Sequence, residues 1–89
     1  MTANLEYYRV FYYVARCSSV TKAAAALSLS QPAVSQSIRQ LEKTLVSSLF
    51  VRIARGISLT AEGKILYEYV EKGYSAFPVS YTHLRAHET

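Results

Sequence analysis

Leu5, Tyr8, Phe11, Tyr12 and Ala15 recur at helical spacing, which predicts an amphipathic helix over residues 5–17. Cys17-Ser18-Ser19 stops it and offers Ser19 as the N-cap of a second helix. That helix, about residues 20–27, is short and alanine-rich (Lys22, Ala23, Ala24, Ala25, Ala26, Leu27), so another helix backbone can approach it closely. Ser28-Leu29-Ser30 leaves room only for a tight turn between packed helices. Gln31-Pro32 opens a third helix, because proline suits a first turn, where its missing N–H costs nothing. Val34, Ile38, Leu41 and Leu45 then form an i, i+4, i+7, i+11 stripe. The opposite face holds Ser35, Gln36, Arg39 and Lys43, all polar and none acidic.

Beyond the third helix the period changes. Leu49 to Arg52 and Ile57 to Leu59 are short extended runs around a glycine-containing turn, Ile53 to Gly56, and predict a β-hairpin with Arg55 at its tip and Arg52 nearby. Thr60 is placed to cap a fourth helix, with Glu62 favourable in its first turn. Ile65, Leu66, Tyr69, Val70 and Gly73 give that helix an apolar stripe. Three helices and a hairpin already close a core, so the stripe is expected to bury against another chain, with the domain's own core as the alternative. Phe77-Pro78 breaks the pattern, and residues 77–89 read as an irregular or foreign tail. The resulting division is 1–59 for the main domain, 60–76 for a linker helix and 77–89 for the tail.

Composition narrows the function. Eighty-nine residues make one small domain, and 51% hydrophobic with 18% charged residues is globular rather than disordered. The net charge of +4 matters less than its placement. Six basic residues (Arg16, Lys22, Arg39, Lys43, Arg52, Arg55) lie between positions 16 and 55 against one acid, Glu42, which suits a polyanionic partner. The eight tyrosines read as core and rim packing. The single Cys17 has no disulfide or metal partner and reads as a small apolar residue. His83 and His87 have i, i+4 ligand spacing, but a solvated tail accounts for them better than a metal site does. Residues 1–76 contain no paired carboxylates, Cys/His arrangement or Gly-rich phosphate loop, so neither an enzyme nor a cofactor is expected. No secretory signal or membrane span is legible, and a cytoplasmic protein is expected.

Helix, short helix, tight turn, helix, hairpin, helix is the order of a winged helix-turn-helix: mainly α, a three-helix core with a small β-hairpin wing and a following linker helix. A helix fits the DNA major groove, and its N-terminal residues meet base edges. Gln31, Ser35 and Gln36 lie at that end of the third helix, and glutamine can pair two-pronged with adenine. Arg39 and Lys43, further along, suit the phosphate backbone. An arginine at a hairpin tip suits the minor groove or flanking phosphates.

The residues also carry a resemblance. Ser19-Val20-Thr21-Lys22-Ala23-Ala24, Ser30-Gln31-Pro32-Ala33-Val34-Ser35-Gln36-Ser37-Ile38 and Leu41-Glu42 resemble the DNA-binding domain of LysR-type transcriptional regulators. The likeness covers residues 5–75 and continues through Leu49-Phe50-Val51-Arg52 and Arg55-Gly56-Ile57-Ser58-Leu59-Thr60-Ala61-Glu62-Gly63. It implies a cytoplasmic repressor or activator bound to double-stranded DNA. Base-reading positions then fall on Gln31, Pro32, Ser35 and Gln36, phosphate contacts on Thr21, Lys22 and Arg39, and wing contacts on Arg52 and Arg55. Glu42 is expected to be structural. A homodimer is implied through Ile65, Leu66, Tyr69 and Val70 of the linker helix, placing two recognition helices in successive major grooves.

Two departures stand out. Val46 occupies a place where the family usually has glycine, so the turn Val46-Ser47-Ser48 is expected to be remodelled. The effector-sensing domain through which the family would bind a small molecule is not expected within these residues, so a fragment or a naturally short relative is expected. The main alternative is a winged helix used for protein–protein contact, with Tyr7, Tyr12 and Tyr13 at an interface.

Overall fold

The computed structural model describes residues 5–76. Four helices and one hairpin follow in chain order: α1 (Leu5–Cys17), α2 (Val20–Leu27), α3 (Gln31–Leu45), β1 (Phe50–Ile53), β2 (Gly56–Leu59) and α4 (Ala61–Ala76). The mainly helical, winged helix-turn-helix architecture expected from the sequence is the one observed. His83 and His87, with the rest of the tail, lie outside the described residues.

Each helix start has a local cause. Ser19 caps α2 by accepting the Lys22 N–H at 3.1 Å, and Ser30 caps α3 by accepting the Ala33 N–H at 3.2 Å, with Pro32 in the first turn. Thr60 Oγ1 accepts the Gly63 N–H at 2.9 Å at the head of α4 and donates to the Ser48 carbonyl at 2.6 Å. The helix stops share a different device. Ser18, Ser28 and Val46, ending α1, α2 and α3, all adopt positive φ, at 53°, 60° and 54°. The Val46 turn is therefore not remodelled around its β-branched side chain. Val46 takes the left-handed cap conformation itself, with its side chain 86% exposed, so the strain meets no packing conflict.

The core gathers where α1, α2 and α3 cross. Phe11, Val10 and Val14 from α1 meet Ala23, Ala24 and Leu27 of α2 and Val34, Ile38 and Leu41 of α3, all buried. Alanine at the α2 positions permits the close helix approach. The burial stripe of α1 is rotated from the expected one: Leu5 is 73% exposed, while Val10 and Val14 are inside. On α3, Leu45 lies at the exposed end of its stripe.

The hairpin is antiparallel, pairing Phe50 with Leu59 and Ile53 with Gly56. Its connection is thus the two residues Ala54 and Arg55, tighter than the four-residue turn expected. Leu49, expected in the first strand, is buried just before it. Phe50 anchors the base of the hairpin against Phe11, ring centroids 5.4 Å apart.

The stripe of the fourth helix, expected to bury against another chain with the domain's own core as the alternative, is divided. Leu66 and Val70 are partly buried against the core, joined by Tyr67. Tyr67 stacks on Tyr12 of α1 with centroids 5.4 Å apart and planes 8° from parallel. Gly63 is buried where α4 crosses Leu49, and a Cβ there would collide with the Leu49 carbonyl oxygen. The side that packs inward is therefore Gly63, Leu66, Tyr67, Val70, at i, i+3, i+4 and i+7. Ile65 and Tyr69 remain outside, 60% and 69% exposed.

Candidate nucleic-acid interface

Two turns converge on one open cleft. The α1–α2 turn starts α2 with Thr21 and Lys22 exposed, and the α2–α3 turn presents Gln31 and, one helical turn on, Ser35. Opposite them stands the wing. The cleft between, about 980 Å³, is lined by Thr21, Lys22, Gln31 and Ser35 on the helical side and by Arg52 and Arg55 on the wing. Six of the nine residues expected to meet DNA therefore share one surface depression, and no carboxylate lines it. Lys22, Arg52 and Arg55 make it electropositive without a neutralising partner in its walls.

The other three expected residues lie outside that cleft. Pro32 and Gln36 are exposed on α3 next to Gln31 and Ser35 in sequence. Arg39 lines a second, smaller groove of about 240 Å³ between α3 and β1. Ser35 and Arg52 border both grooves, so the two form a continuous track past the start and middle of α3. Residues 31, 35 and 39 are spaced i, i+4, i+8 and share one face.

What holds α3 and the wing in register is a set of hydrogen bonds that spacing alone did not reveal. Glu42, on α3, accepts the Leu49 N–H through Oε2 at 2.7 Å. The Leu49 carbonyl accepts the Thr60 N–H at 3.0 Å, on the far side of the hairpin. The structural role expected of Glu42 thus takes a specific form: its carboxylate fastens the recognition helix to the root of the wing. The tyrosine packing was expected in kind, but Tyr67 falls outside the apolar stripe read from the sequence, and only its stacking on Tyr12 shows its place. Arg16 closes that cluster, its guanidinium 5.7 Å from the Tyr12 ring centroid. Burial, then the neighbouring Tyr67 hydroxyl, pushes the Tyr12 phenol above its ordinary range, and Arg16 pulls the other way. Hydrogen bonding to Tyr67 leads the causes that raise Arg16 in turn.

A helix-turn-helix whose second helix shares an acid-free cleft with a basic wing defines a class of DNA-binding domain. Comparison with known proteins makes the class specific: residues 5–64 match the family described as "Bacterial regulatory helix-turn-helix protein, lysR family", and the chain belongs to it. It is similar to the HTH-type transcriptional regulator BudR of Klebsiella aerogenes, 47% identical over 65 residues that cover 73% of this chain and 46% of that protein. The RuBisCO operon transcriptional regulator of Allochromatium vinosum is 46% identical over 69 residues, 78% of this chain and 23% of the other. The chain thus spans less than half the length of these relatives. Among solved structures, the DNA-binding domain of BenM in complex with benA site 1 DNA superposes with a TM-score of 0.80 at 32% identity, over 93% of this chain and 96% of that one.

The winged helix-turn-helix is therefore a LysR-type DNA-binding domain, a regulatory rather than catalytic unit. This sets aside the protein-interaction alternative, and the tyrosines behind it are accounted for locally. Tyr7 and Tyr13 pack against the core and Tyr12 stacks on Tyr67. No helix among the described residues is long and apolar enough to cross a membrane.

Proposed function

We propose that this chain recognises a specific operator in double-stranded DNA as the reading head of a cytoplasmic transcription regulator. α3 enters the major groove with Gln31, Pro32, Ser35 and Gln36 at the base edges. Thr21, Lys22 and Arg39 engage phosphates, and Arg52 and Arg55 of the wing follow the minor groove or its flanking backbone. The observation that carries this reading is the single acid-free cleft shared by the start of α3 and the wing. BenM's DNA-binding domain, of similar fold, is bound to DNA in its own structure, which supports the same use here.

Residues 60–76 act in this reading as a linker helix through which two copies pair, each offering Ile65 and Tyr69. Leu66 and Val70 lie beside them, partly committed to their own core.

The test is selection of binding sites from random duplex DNA, repeated at two salt concentrations. Recovery of a palindrome with half-sites about one helical turn apart supports a dimeric operator reader. Salt-sensitive binding without a selected sequence would place specificity outside this chain.

A further inference from the structure

The wing is fastened to the helical body at two levels. Its base is held by Phe50 on Phe11 and by the Thr60–Leu49 hydrogen bond. The second level lies beside the tip. Gly56, immediately after Arg55, has φ +134° and turns its bare Cα toward the α1–α2 turn, where a Cβ would stand 2.9 Å from the Ser18 carbonyl oxygen. A contact that short displaces one of two backbones, because neither partner is the end of a flexible side chain.

Ser18 is itself tightly placed. Its N–H donates to the Val14 carbonyl at 2.8 Å to end α1, and the next residue, Ser19, caps α2 through the Lys22 N–H at 3.1 Å. One two-residue turn, Ser18-Ser19, therefore sets both where α2 presents Thr21 and Lys22 and where the wing tip rests. Those residues and Arg55 line the same cleft from opposite sides.

We infer that the Ser18 carbonyl is the seat of the wing tip, and that Gly56 is a positioning residue that holds Arg55 over the cleft by resting on it. The inference depends on the reading above in which Arg55 contacts DNA. Gly56 touches no nucleic acid in this scheme; it acts only through its neighbour. Any side chain at position 56 lifts the tip from Ser18 and carries Arg55 away from the minor groove or flanking backbone that it follows in that reading.

The experiment is a double-mutant cycle of Gly56→Ala and Arg55→Ala, with binding to a labelled random-sequence duplex followed across a salt series. A random duplex isolates the wing from base reading. Arg55→Ala is expected to weaken binding several-fold and to reduce the slope of log affinity against log salt by about one. Gly56→Ala is expected to do the same to the folded protein, and the double variant to bind no more weakly than Arg55→Ala alone. An unchanged salt slope in Gly56→Ala, or losses that simply add, would overturn the assignment. A silent Arg55→Ala would overturn the wing contact itself and this inference with it. If Gly56→Ala does not fold, one glycine inserted between Ala54 and Arg55 alters the tip but leaves Arg55 joined to the seated Gly56. A retained slope then supports the seat, and a reduced slope overturns it.

Discussion

The carboxylate of Glu42, near the end of the recognition helix, accepts the Leu49 N–H at 2.7 Å across a turn that contains the left-handed Val46. The bond spans seven residues and closes the loop between α3 and the wing, whose next link is Leu49 to Thr60. A partly buried N–H that loses its acceptor bears the desolvation cost alone. Glu42→Ala is expected to destabilise the domain by about 1–3 kcal/mol, and Glu42→Gln, which keeps an acceptor, by less. Urea unfolding with an unchanged m-value checks this.

Val46 gives the opposite sign. A β-branched residue at φ 54° is strained, and its side chain contributes little packing. Val46→Gly is expected to raise stability by about 1 kcal/mol, the left-handed strain relieved less the chain entropy glycine adds. Thermal unfolding would then shift upward by roughly 4–8 °C. A lowered midpoint would show that Val46 packs in a way its exposure does not suggest.

The stacked pair of Tyr12 and Tyr67 makes stability depend on alkaline pH. Because the Tyr12 phenol is held above its ordinary range, chiefly by burial, the folded state keeps the proton where the unfolded chain has released it. That contribution is whole below about pH 10 and is lost as pH climbs from there through the raised value. Tyr12→Phe is expected to flatten this limb, measured as the unfolding midpoint between neutral and alkaline buffer relative to the parent.

Base reading is tested on α3. Gln31→Ala and Gln36→Ala are each expected to cost roughly 1–3 kcal/mol on the selected site while leaving random DNA binding nearly unchanged. Competition binding separates the two. Equal affinity of parent and both variants for the selected site would remove these glutamines from the interface.

Pairing through α4 is best probed at Ile65. Leu66 is packed against its own core, so a charge there would confound unfolding with dissociation. Ile65→Glu is expected to leave the unfolding midpoint of the monomer intact and to shift sedimentation from dimer toward monomer. A dimer that persists would move the contact to another face.

How much of this was legible follows from the kind of interaction. Helix limits, the caps at Ser19 and Thr60 and the hairpin are local, and the pattern of a few residues is enough to foresee them. The division of the α4 stripe was not legible for a physical reason: Ile65 and Tyr69 are apolar like Leu66 and Tyr67, and periodicity cannot choose between two adjacent apolar faces. The distinguishing signal was Gly63, at i, i+3, i+4, i+7 with Leu66, Tyr67 and Val70, since a buried glycine marks a backbone crossing. The Glu42–Leu49 bond and the Gly56–Ser18 contact join residues with no periodic relation, so only the fold brings them together. The DNA-facing residues were legible as a set because Gln31, Ser35 and Arg39 share one helix face. Their convergence with Arg52 and Arg55 on one cleft depends on the wing's docking.

The three left-handed helix stops also show where this domain can be strengthened. Ser18, Ser28 and Val46 each occupy a conformation that glycine enters at no steric penalty. Each is a separate position at which one substitution can relieve backbone strain, so stability is adjustable from the helix ends while the packed interior is left as it is.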